Sequence, residues 1–72
     1  MNQYEIKKAL DNHGIKYYFD EKMHLFLCYV YAFSDEYDII YFDSKKIAFV
    51  IENVNGKKSL CTKNNLLLWL GY

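Results

Sequence analysis

Apolar and polar positions change period once along this chain, and the change divides it. At the start, Ile6, Ala9, Leu10 and His13 recur at i, i+3, i+4 and i+7, the spacing of one helical face. Asn2 stands three residues before Glu5, a capping-box spacing, and Gly14 followed by Ile15 suits a left-handed helix end closed by contact between Ile15 and Leu10. The spacing predicts a helix over 3–13.

From Ile15 to Ile51 the period is two, and the run is rich in tyrosine and phenylalanine. Turn chemistry falls at 20–23, at 34–36, at Ser44 and Lys45, and at Asn55-Gly56, the strongest hairpin signal in the chain. Each turn implies a register. The first pairs Phe19 with His24 and Tyr17 with Phe26. The second pairs Tyr31 with Ile39, Val30 with Ile40 and Tyr29 with Tyr41. The third pairs Asp43 with Lys46, Phe42 with Ile47 and Ile40 with Phe49, and the last pairs Ile51 with Leu60 and Val50 with Cys61.

These registers agree on two faces. One collects Ile15, Tyr17, Phe19, Phe26, Cys28, Val30, Ile40, Phe42, Ile47, Phe49, Ile51 and Leu60; the other Leu25, Leu27, Tyr29, Tyr31, Phe33, Tyr37, Ile39, Tyr41, Ala48 and Val50. A slip of one residue at any turn would mix the sets. Beyond Cys61, a segment starting at 62 or 64 and running to 70 reads as a short helix with Leu66, Leu67 and Leu70 inward, stopped at Gly71. The predicted fold class is α+β: a five-stranded antiparallel meander with an N-terminal and a short C-terminal helix packed on one face. The alternative is a small bent-sheet barrel of the Sm or SH3 kind.

Length changes the picture next. With 72 residues the expectation is a single domain over 1–72. Surface scaling gives roughly 4,700 Å² folded against roughly 12,600 Å² unfolded, a marginal monomer that association would stabilise. Two helices about 10 Å across cover a sheet of about 24 Å only once, which leaves the tyrosine face bare. The 53% hydrophobic composition excludes disorder. No apolar stretch reaches membrane-spanning length and none resembles a signal peptide, so the expected location is the cytoplasm, away from membranes.

Charge excludes more than it suggests. Nine basic residues, all lysine, balance nine acidic ones, so no overall field draws the chain to a polyanion. Absent arginine and proline, with many Lys, Asn, Ile and Tyr, resembles the coding bias of an AT-rich bacterial or phage genome. Lys45-Lys46 and Lys57-Lys58 beside aromatic strands invite single-strand nucleic-acid binding. The expected meander puts those pairs at opposite ends, each beside an acidic turn, and no RNP-like run is present.

Candidate chemistry is sparse. Cys28 and Cys61 lack metal-ligand spacing. The expected registers place them on opposite faces, roughly 14 Å apart, which predicts reduced thiols, no disulfide and no metal. His24 and His13 read as edge and helix-end residues. Asp20-Glu21, Asp35-Glu36, Asp38 and Asp43 read as solvated turn carboxylates that do not converge on a substrate. No glycine-rich phosphate loop or nucleophile elbow occurs. The expectation is therefore a protein without catalytic activity or cofactor, binding through Leu27, Tyr29, Tyr31, Tyr37, Ile39 and Tyr41. Its partner would be another protein, self-association would accompany binding as a homodimer or larger homo-oligomer, and inhibition or occlusion of a host or defence protein by a phage or mobile-element accessory protein is the biological role expected. A small single-stranded nucleic-acid binder is the alternative.

Overall fold

Asn2 caps the first helix as the sequence predicts. Its side chain accepts from the Glu5 N–H at 2.8 Å, and the Glu5 carboxylate accepts from the Asn2 N–H at 3.0 Å. This capping box starts α1 (Gln3–Asn12). The end is a Schellman motif: the Ile15 N–H donates to Leu10 O at 2.9 Å and the Gly14 N–H to Asp11 O at 3.1 Å, with Gly14 at φ +67°. The helix stops one residue short of the expected boundary, and His13 is its cap. The computed structural model describes residues 1–31 and 34–71, so Phe33, expected on the tyrosine face, lies outside the described residues.

Five strands follow: β1 (Lys16–Asp20), β2 (Leu25–Tyr29), β3 (Asp38–Phe42), β4 (Ala48–Ile51) and β5 (Lys58–Leu60), before α2 (Lys63–Trp69). They form one antiparallel sheet in the order β1-β2-β3-β4-β5, the expected meander. Thr62 caps α2 through its hydroxyl, which accepts from the Asn65 N–H at 3.2 Å. One buried cluster joins Ile6 and Leu10 of α1, Phe26 and Cys28 of β2, Ile40 of β3, Ala48 and Val50 of β4, Cys61, and Leu66 of α2.

All four expected registers are corrected, three without consequence for the faces. Phe19 pairs with Phe26, not His24, because Asp20 closes the turn: its Oδ1 accepts from the N–H groups of Lys22 and Met23. In the β2–β3 ladder Leu27 opposes Ile39 and Leu25 opposes Tyr41, so Tyr29 and Tyr41 are not partners. Here the chain leaves the sheet early, where the Val30 N–H turns back to Cys28 O at 3.1 Å. The β4–β5 ladder is shifted by two, since a loop of four residues from Asn53 to Gly56 joins Glu52 to Lys57. Even shifts keep every side chain on its face.

The β3–β4 turn shifts the register by one, and this inverts the faces of β4 and β5. The loop has three residues, Ser44, Lys45 and Lys46, and Lys46 takes a left-handed φ of 63°. Asp43 holds it from both sides. Its N–H donates to Ile47 O and its carbonyl accepts from the Lys46 N–H, each at 2.9 Å, while Oδ1 accepts from the N–H groups of Lys45 and Ile47. A type I turn followed by a left-handed residue is the three-residue hairpin geometry. Phe42 therefore opposes Ala48 and Ile40 opposes Val50. Ala48 and Val50 enter the buried cluster, while Ile47 and Leu60 are exposed.

Candidate contact surface

With β4 and β5 inverted, the face opposite the buried cluster carries a continuous apolar layer. Across the strands, one row runs Tyr18, Leu27, Ile39, Ile51 and Lys58. The next runs Asp20, Leu25, Tyr41, Phe49 and Leu60. Alternation along each strand sends the neighbouring residues to the cluster and these to the outer face. Leu25, Leu27, Tyr29, Ile39, Tyr41, Phe49 and Ile51 are partly exposed, and Tyr18 and Leu60 are exposed at 59% and 46%.

Aromatic geometry organises the layer. Tyr41 and Phe49, directly opposed, stack with ring centroids 5.6 Å apart. Lys58 covers them, its Nζ lying 5.5 Å from the Tyr41 centroid and 4.5 Å from that of Phe49. At the other end, Tyr29 meets Tyr37 edge to face at 5.9 Å. There Asp35, Glu36 and Glu52 border Tyr37, Ile39 and Ile51 around an open hollow of about 650 Å³.

Five of the six expected contact residues, Leu27, Tyr29, Tyr37, Ile39 and Tyr41, meet in or beside this layer. Tyr31 does not. Its hydroxyl donates at 2.7 Å to Oδ1 of Asp38, and this bond, with burial and the Asp38 charge, holds the phenol above its ordinary pKa. Phe49, Ile51 and Leu60 also belong to the layer, a correction to the expected faces: β4 is apolar at every position and carries no sign of which side is inward, and β5 follows its register.

Asp38 departs most from expectation. Placed among solvated turn carboxylates, it is 2% exposed. Three donors satisfy it: the Tyr31 hydroxyl, the Asn53 N–H at 2.8 Å and the Trp69 indole N–H at 2.5 Å. The carboxylate thus ties the β2–β3 connection, the β4–β5 turn and the end of α2 to the head of β3. Both of its oxygens accept from structural donors, which positions it as a clamp.

The cysteines are corrected too. Cys28 and Cys61 lie in the same buried cluster, not on opposite faces, and both are free thiols. Burial, with the Asp38 and Cys61 charges, pushes the Cys28 thiol up to about 12; burial pushes Cys61 up to about 11. Neither is a thiolate near neutral pH, the form that attacks or ligates. Among the described residues no three of His, Cys, Asp or Glu gather as a metal site, and no helix is long and apolar enough to cross a membrane.

Compared with known proteins, the chain matches no family model, no curated protein and no solved structure.

Proposed function

We propose that this chain is a binding module that seats another protein on the outer face of its sheet, and acts by occupying a surface of that partner. The observation that carries the reading is the unbroken apolar layer from Tyr18 to Leu60, with Leu27, Ile39 and Ile51 at its centre. Water against such a layer is costly, and contiguous exposed apolar surface on a small protein commonly marks an interaction site. The accessible surface of 5192 Å² is about 10% above the roughly 4,700 Å² that scaling assigns to this mass, in keeping with a face left open. Shared membership of one cluster by Ile6, Leu10 and Leu66 supports helices lying on the opposite side. Both thiols are held protonated and Asp38 is consumed by structural donors, so the groups best placed for chemistry are engaged in the fold; this supports a role without catalysis. The composition adds support for a mobile-element accessory protein that blocks a host or defence protein.

A second reading has its own observation. Lys58 over the stacked Tyr41 and Phe49 rings joins a cation to an aromatic platform, the combination that holds a single nucleic-acid strand. The acidic border of Asp35, Glu36 and Glu52 opposes it.

Affinity capture from the native host, with the wild type and with Tyr41→Ala, tests both. A protein retained in moderate salt by the wild type, and bound by the variant about 2 kcal/mol or more weakly, is the expected result. Retention of nucleic acid that elutes steeply with salt would replace the first reading by the second. Equal retention by wild type and variant would remove the outer face as the contact.

A further inference from the structure

We propose that the open edge of β1 pairs with the same edge of a second copy, antiparallel about a two-fold axis through Tyr18, to make a ten-stranded sheet. The proposal does not depend on the outer face binding anything.

The sheet has two edges, and they differ. β5 is three residues long and begins with a lysine, the short charged edge that resists pairing. β1 is five residues of Lys-Tyr-Tyr-Phe-Asp, of high strand propensity and without proline.

Which of its backbone groups are free follows from the ladders. Asp43 donates its N–H to Ile47 O, so alternate residues of β3 counted from Asp43 bond to β4 and the others to β2, as the bond from Phe42 N–H to His24 O at 3.2 Å confirms. Carried across β2, the alternation bonds Lys16, Tyr18 and Asp20 to β2 and turns the N–H and C=O of Tyr17 and Phe19 to the open side. A dyad through Tyr18 sets Tyr17 against Phe19 of the second copy, and these two residues supply both donors and both acceptors of a bonded pair. Four hydrogen bonds form, and Tyr18 meets its own copy as the closely approaching non-bonded pair.

Charge complements the same register twice. On the outer face Lys16 meets Asp20 of the second copy, and the reverse. Asp20 has committed Oδ1 to its own turn, leaving Oδ2. On the other face Lys7 of α1 sits 5.9 Å over the Phe19 ring, and the Asp11 carboxylate lies beside the Tyr17 hydroxyl. Since Tyr17 opposes Phe19 across the axis, Lys7 is brought toward Asp11 of the second copy. Parallel pairing, or a dyad through Tyr17 or Phe19, matches none of these four charges. Self-complementarity about one axis is what a closed dimer interface requires.

Tyr18 is the test position, being 59% exposed and on the outer face, where substitution leaves the buried cluster intact. Sedimentation velocity on the full chain from micromolar to near-millimolar concentration should show a monomer–dimer equilibrium. Tyr18→Lys alone and Tyr18→Glu alone set like charges against each other across the axis and should each weaken it about tenfold or more, with Trp69 emission unchanged. Mixed, the two variants should restore a dimer of one copy each. A wild type monomeric throughout overturns the proposal, as does a Tyr18→Lys variant that dimerises like the wild type. Loss of the dimer in Tyr41→Ala, with Tyr18→Lys unaffected, would place association on the outer face and overturn edge pairing.

Discussion

Asp38 shows how much one side chain can hold together. Hydrogen bonds to a buried carboxylate each contribute about 1.5–3 kcal/mol, and leaving their donors unpaired costs a comparable amount. Asp38→Ala is therefore expected to destabilise the fold by about 2–4 kcal/mol in urea denaturation. Asp38→Asn is the sharper test. Its amide oxygen can still accept from Tyr31 and Asn53, but its NH2 then meets the Trp69 N–H, donor against donor. Emission from Trp69, the single tryptophan, should shift to the red while the strand signal in circular dichroism persists. An unshifted emission would show that the clamp does not dock α2.

The thiols give a prediction with a definite sign. Cys28 and Cys61 have folded pKa values of about 12 and about 11, above their ordinary 9.0. The folded state therefore binds these protons more tightly than the unfolded chain does. Their contribution to stability is complete below about pH 9 and is lost as pH rises toward 11 and 12. The urea midpoint should hold flat up to about pH 9 and fall above it. In the same molecule, alkylation of either thiol at pH 8 should wait on unfolding; rapid alkylation of the native protein would mean that the thiols are not enclosed as described.

The β3–β4 hairpin shows a turn working against local preference. A lysine at φ 63° is held in a region that costs an L-residue roughly 1 kcal/mol, and four bonds from Asp43 overrule that cost. Lys46→Gly removes the strain and keeps the backbone N–H that donates to Asp43 O, so it should raise stability by about 1 kcal/mol, less the entropy that glycine adds to the unfolded chain. A loss of stability would mean that the lysine side chain, not the turn, supports this hairpin.

For the molecule as a whole, the orientation of β4 decides which surface is core and which is contact. Val50 is 2% exposed, and Phe49, its neighbour, stacks on Tyr41 outside. Val50→Asp should abolish cooperative unfolding, since a buried carboxylate there finds no partner. Phe49→Asp should fold, with a modest loss from the aromatic stack and from the Lys58 contact. The reverse outcome would restore the register with a two-residue turn. The contrast is informative because Phe is the larger hydrophobe, and composition alone would put it inside.

Much of the fold was legible because its causes are local. Asn2 with Glu5 caps a helix wherever it occurs, Gly14 ends one, and period two between turn residues makes strands in a meander. Those signals lie within a few residues of one another and need no tertiary context. Leu27, Tyr29, Ile39 and Tyr41 were legible as one face for the same reason, since even shifts of register preserve alternation. Beyond that reach the sequence is silent. Ala48 to Ile51 is apolar on both sides, so only the three-residue turn around Asp43, and the fit of the small Ala48 and Val50 into the cluster with α1 and α2, chose its inward face. Asp38 looked like a turn carboxylate because its donors come from far along the chain, Asn53 from 15 residues away and Trp69 from 31. A buried charge is defined by the partners that converge on it, and convergence at that separation exists only once the chain has folded.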